Sequence, residues 1–86
     1  ALSVYPNPFS DALHMKLELG KHIEMSIYNL KGQLVRSYKN LVAGTGNLDL
    51  CWDAKDEHGC EVPNGVYLIR AKSQDGIRQS KCIKFQ

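Results

Sequence analysis

Eighty-six residues make one domain near the small end of what folds alone, and a chain of this size buries only about 60–65% of its unfolded surface. An apolar share of 43% is ordinary for a globular domain and excludes a disordered chain, while a filled core leaves little material for a catalytic cleft. The formal charge of +2 is too small to imply nucleic acid as a partner, and no stretch approaches the apolar length of a membrane span.

The chain begins at Ala1 inside what reads as a strand over about residues 2–5, with neither an initiator Met nor a secretory leader. It is therefore expected to be a domain, spanning 1–86, excised from a longer protein. Tyr5-Pro6-Asn7-Pro8-Phe9 follows; its two prolines predict a stiff, extended segment that stays out of any central strand. Leu13, Met15, Leu17 and Leu19 alternate with His14, Lys16 and Glu18, predicting a strand over 13–19. Gly20-Lys21 turns the chain into a second alternating run, Ile23, Met25 and Ile27 against His22, Glu24 and Ser26, a strand over 22–28. Asn29-Leu30-Lys31-Gly32 fits a type I turn closed by a positive-φ glycine and leads to a strand over 33–38. Ala43-Gly44-Thr45-Gly46 is a flexible connection before the strand 47–52, in which Leu48, Leu50 and Trp52 share a face. The long polar segment Asp53–Pro63 and the turn Asn64-Gly65 precede a more apolar, central strand over 65–72. Ser73-Gln74-Asp75-Gly76 turns it into the last strand, 77–85, with Ile77, Ile83 and Phe85 in one register and Arg78, Ser80, Cys82 and Lys84 in the other.

Seven short strands separated by turn signals, with no helical run, predict an all-β fold, an immunoglobulin-like seven-stranded antiparallel β-sandwich. The Cys…Trp…Cys spacing of antibody domains is missing, since Cys51 and Trp52 are adjacent and face opposite ways. The expected core is Leu17, Ile23, Met25, Ile27, Leu48, Leu50, Trp52, Tyr67, Ile69 and Ile83.

Side-chain chemistry argues against catalysis. His14 and His22 occupy polar strand positions, His58 precedes a turn glycine, and no nucleophile, base and acid fall into a recognisable pattern. Cys51, Cys60 and Cys82 are an odd set, compatible with one disulfide or with three free thiols, and His58 with Cys60 lacks the partners of a zinc site. Asp53, Asp56, Glu57 and Asn64 offer oxygen to calcium, but acidic turn residues more often bond backbone amides, so neither a metal nor a cofactor is expected. Residues 49–64 carry Asp49, Asp53, Asp56, Glu57 and Glu61 against Lys55, whereas 65–86 carry Arg70, Lys72, Arg78, Lys81 and Lys84 against Asp75. This basic end is either a solvated strand face or a recognition surface. Sugar binding needs exposed coplanar rings, and Trp52 lies in the apolar register.

Three segments go further by resemblance. Val4-Tyr5-Pro6-Asn7-Pro8-Phe9, the run Ile27-Tyr28-Asn29-Leu30-Lys31-Gly32-Gln33-Leu34-Val35, and the block from Trp52-Asp53 through Gly65-Val66-Tyr67 resemble, in the same order, the type A C-terminal sorting domains of type IX secretion in Bacteroidetes. The basic-apolar close, Lys81-Cys82-Ile83-Lys84-Phe85, is similar to that family's final strand. The Ig-like domain of flagellar hook-capping proteins shares the Trp-Asp and Gly-Val-Tyr block, and Ala54 stands where both families usually carry Gly. The resemblance implies a non-catalytic sorting signal that follows an upstream cargo domain in the same chain. It implies recognition by the outer-membrane type IX translocon and its processing enzyme after passage through the periplasm, and delivery to the cell surface or medium. Gly65, Val66, Tyr67, Lys81, Ile83, Lys84 and Phe85 are the expected recognition residues, with the last strand offering a positive, partly unpaired edge. The alternative is a passive Ig-like interaction, spacer or carbohydrate-binding accessory module of an extracellular enzyme.

Overall fold

Residues 2–18, 23–41, 47–73 and 76–85 are described by the computed structural model. Leu19, the Gly20-Lys21 turn, His22, the Ala43–Gly46 connection, Gln74 and Asp75 lie outside them, as does the side chain of Leu48. The alternating runs form seven strands: β1 (Leu2–Tyr5), β2 (Leu13–Glu18), β3 (Ile23–Asn29), β4 (Leu34–Leu41), β5 (Asn47–Trp52), β6 (Gly65–Ser73) and β7 (Gly76–Lys84). They make two antiparallel sheets, β1-β2-β5 and β4-β3-β6-β7. The chain places two strands in the first sheet, two in the second, one in the first and two in the second, the crossing pattern of an Ig-like sandwich.

Period two decides what is buried. Leu13, Met15 and Leu17 of β2, Ile23, Met25 and Ile27 of β3, and Tyr67, Ile69 and Ala71 of β6 face inward, while Cys51 is exposed and its neighbour Trp52 is buried. Phe9, Trp52 and Tyr67 form an aromatic chain through the centre, with ring centroids 5.5 and 5.6 Å apart. Leu50 is half-buried against this core. Tyr67 also donates its hydroxyl proton to the Pro63 carbonyl, the tyrosine corner of Ig-like sandwiches, in which a ring near the start of a strand ties down the chain before it.

Two expectations are corrected. Ile83 is not in the core: it is 44% exposed, and Cys82 and Lys84 are buried in its place. The cause is the β6–β7 hairpin. Ser73 pairs with Gly76, and this tight closure puts inward-facing Tyr67 opposite Cys82, so every odd-numbered residue of β7 faces out. The Tyr5–Phe9 segment is not extended either. It bends at residues 6–8, with both X–Pro peptide bonds cis, and returns Phe9 to the core.

Candidate recognition surface

The hairpin that inverts β7 also gathers the seven expected recognition residues at one end of the β6–β7 ladder, where Gly65 pairs with Lys84, Val66 with Ile83 and Leu68 with Lys81. They do not share a face. Tyr67 and Lys84 point into the sandwich, 3% and 2% exposed, whereas Ile83 and Phe85 stand in solvent at 44% and 70%. Lys81 is exposed and Val66 half-buried on the outer side. Gly65 takes φ 155°, open to glycine and strained for other residues, although a Cβ there would meet nothing within 4 Å.

The outer face is wider than the sequence suggested. Leu34, Tyr28, Leu68 and Lys81 form one register row across all four strands, and Val66 with Ile83 forms the next. Leu34 is 53% exposed, and Leu30, on the adjoining turn, is 71% exposed. The Arg70 guanidinium lies over the Tyr28 ring at 5.3 Å, beside a shallow hollow of about 200 Å³ lined by Tyr28, Gly32, Leu68, Arg70 and Gln79. Exposed Arg70, Lys72 and Lys81 frame these apolar side chains with positive charge. In the sequence nothing sets Tyr28, Leu34 and Leu68 apart, because each is apolar within a strand. The usable signal was parity, since Tyr28 and Leu68 alternate with core residues Ile27 and Ile69.

Lys84 serves the interior. Its ammonium donates to Glu61 Oε1 at 3.0 Å and to the Val62 carbonyl. Cys82, wholly buried, directs its thiol at the Tyr67 carbonyl, and burial pushes that thiol up to about 12. Cys51, Cys60 and Cys82 are all free thiols.

The last strand's edge is covered over part of its length. The Asn7 carboxamide acts as a peptide-group mimic: its Oδ1 accepts the Ile83 N–H at 3.0 Å and its Nδ2 donates to the Lys81 carbonyl at 3.4 Å. Phe9 continues the cover, its N–H on the Ile83 carbonyl at 2.9 Å and its carbonyl accepting the Phe85 N–H at 2.8 Å. The opposite edge is covered by the acidic loop. The Val35 carbonyl accepts the Glu57 N–H at 3.2 Å, and Glu57 Oε1 accepts the Ser37 N–H at 2.7 Å.

That loop is built by its own carboxylates. Asp56 Oδ1 accepts N–H bonds from His58 at 2.9 Å and Cys60 at 3.0 Å; these bonds, the Cys60 bond first, hold its carboxyl below the usual carboxylate range. Arg36 clamps the loop through the Lys55 and Asp56 carbonyls and lies 3.6 Å from Asp53. Among the described residues no three His, Cys, Asp or Glu side chains are grouped to hold a metal ion. Ala54 is buried with φ 61°, in the left-handed region that favours glycine. Trp52, the ring a sugar platform would need, is buried with its indole N–H on the Lys55 carbonyl at 2.9 Å.

Among solved structures, PorZ, a surface component of the type-IX secretion system of Porphyromonas gingivalis, shares 19% identity with a TM-score of 0.75, over all of this chain and 12% of that one. Dimeric latent PorU from the same organism shares 24% identity with a TM-score of 0.74, over 96% of this chain and 9% of that one. FlgD from P. aeruginosa shares 22% identity with a TM-score of 0.66, over 95% of this chain and 69% of that one. At these identities the likeness shows the fold, and the chain spans about a tenth of the two Porphyromonas proteins. No curated protein matches the chain. The family model of the secretion system C-terminal sorting domain matches residues 3–85, nearly the whole length, and the chain therefore belongs to that family, the sorting domains of type IX secretion.

Proposed function

We propose that this sandwich is the C-terminal export signal of a longer secreted protein, and that the type IX translocon and its processing enzyme read it from the outer face of the β6–β7 end. The upstream cargo then passes from the periplasm through the outer membrane to the cell surface or medium. One observation carries the assignment of the surface: Val66, Ile83 and Phe85 stand beside Leu68, Tyr28 and Leu34 on one outward face, framed by Lys81 and Arg70. Clustered exposed apolar side chains rimmed by charge are what an interaction site presents, and a passive spacer has no use for them. Gly65, Tyr67 and Lys84 support the reading surface from behind: Gly65 shapes the turn, Tyr67 pins it and Lys84 closes the rim.

The test fuses the domain to the C-terminus of a fluorescent protein bearing a signal peptide, in a bacterium with type IX secretion. Truncating Lys81–Gln86 is a poor variant because it also removes buried Cys82 and Lys84. The triple substitution Lys81→Glu, Ile83→Ser, Phe85→Ser changes only outward side chains. The expected result is surface or medium fluorescence for the parent fusion and periplasmic retention of the folded variant. Periplasmic retention of a folded parent fusion overturns the export reading and leaves the passive module; export of the variant moves recognition away from this face.

A further inference from the structure

The cover on the outer edge of β7 stops halfway. Because the Ile83 N–H and carbonyl both bond away from β6, to Asn7 and Phe9, the unbroken register makes the backbone groups of Ile77, Gln79 and Lys81 point to the same open side. Asn7 takes the Lys81 carbonyl, but no described backbone group meets the Ile77, Gln79 or Lys81 N–H or the Gln79 carbonyl. Residues 76–79 are exposed, and the Ile77 carbonyl receives only a long 3.4 Å contact from the neighbouring Arg78 guanidinium. An unpaired stretch of this kind is a template for another strand.

We propose that the Ile77–Lys81 edge of β7 docks an extended acidic segment of another polypeptide, which adds to the second sheet as a fifth strand beside β7. Charge selects this occupant. Arg70, Lys72, Arg78 and Lys81 are exposed on and beside the edge, and no described carboxylate pairs with any of them. A second copy pairing antiparallel about Gln79 would set Arg78 opposite Ser80, bring the two Arg78 side chains diagonally together and add its cations to those already on the edge, which disfavours it. Glu side chains on the outer face of the added strand meet Lys81 instead, with Arg70 and Lys72 behind it on the same face.

The inference deepens the export reading and rests on it for its biological sense, yet its test is independent, since peptide docking and reporter export can each fail alone. The probe is a short capped peptide alternating Glu with Val, added to the purified 86-residue chain. Amide hydrogen exchange at Gln79 and Lys81 is expected to slow several-fold, with no slowing from a peptide alternating Lys with Val. Gln79→Pro removes one edge donor where proline is tolerated, its N–H facing away from the sheet, and is expected to abolish slowing at Lys81. Arg78→Glu with Lys81→Glu, which keeps every backbone donor, is expected to weaken binding of the Glu peptide and to gain binding of the Lys peptide. Absence of slowing with the Glu peptide, equal slowing with both peptides, or slowing that rises with protein concentration alone each overturns the proposal, the last in favour of a second copy.

Discussion

The Lys84 ammonium sits in a 2% exposed side chain and donates to the Glu61 carboxylate and the Val62 carbonyl, whereas Lys81, three residues earlier on the same strand, is exposed. Removing a buried charge from water costs several kcal/mol unless it is paired, so Lys84 stays where it is only because both acceptors are in place. Lys84→Ala loses the packed alkyl stem as well as those bonds and is expected to destabilise the fold by about 2–4 kcal/mol. Lys84→Met keeps the stem and removes the charge, and is expected to cost about 1–2 kcal/mol at most. Urea unfolding of the two variants checks the order; equal costs near zero would return Lys84 to the list of surface cations. The two lysines look alike in sequence, and the apolar register Ile77, Ile83 and Phe85 put Ile83 inside. The correct register was nonetheless legible: a tight closure at Ser73–Gly76 and an inward Tyr67 together require Cys82 and Lys84 to be buried.

Strand existence was the most readable level, because alternation with period two is a local property of the chain. β2, β3, β5 and β6 fall where Leu13–Leu17, Ile23–Ile27, Leu48–Trp52 and Val66–Lys72 predicted them. Illegible in local pattern was the contact of Asn7 with Ile83, made across 76 residues of sequence, which turns a stiff leading segment into the cover of the last strand's edge. Asn suits the position because its carboxamide both accepts and donates, as a strand's peptide group does. Asn7→Ala leaves the Ile83 N–H and Lys81 carbonyl to water and is expected to destabilise by about 1–2 kcal/mol. Asn7→Asp keeps an acceptor for Ile83 but sets a carboxylate against the Lys81 carbonyl, so it is expected to fall between parent and Asn7→Ala. Amide exchange at Ile83 should quicken in Asn7→Ala and stay slow in Asn7→Asp; unchanged exchange in both would mean that Phe9 alone closes the edge.

At the scale of the whole molecule, the sandwich separates residues that hold the fold from residues that are free to be read. One aromatic chain, Phe9-Trp52-Tyr67, joins the leading segment, β5 and β6, so loss of any member opens the only core the described residues form. A domain of this size has a total stability of about 5–10 kcal/mol, and Trp52→Ala, at about 3–5 kcal/mol, removes much of it. Ile83 is 44% and Phe85 70% exposed, so Ile83→Ser and Phe85→Ser are each expected to cost about 1 kcal/mol or less. In a chain this small, 1 kcal/mol moves the melting temperature by about 4–8 °C, which makes the two classes easy to separate by thermal melting. Trp52→Ala should melt far below the parent or not fold at all, while each single outer-face variant stays within about 8 °C of it. Export by the reporter fusion then has a clear interpretation. A variant that melts like the parent and fails to leave the periplasm has lost a contact with the machinery. One that melts low and fails has lost only its fold, and if every failing variant proves to be of that second kind, the outer face carries no signal.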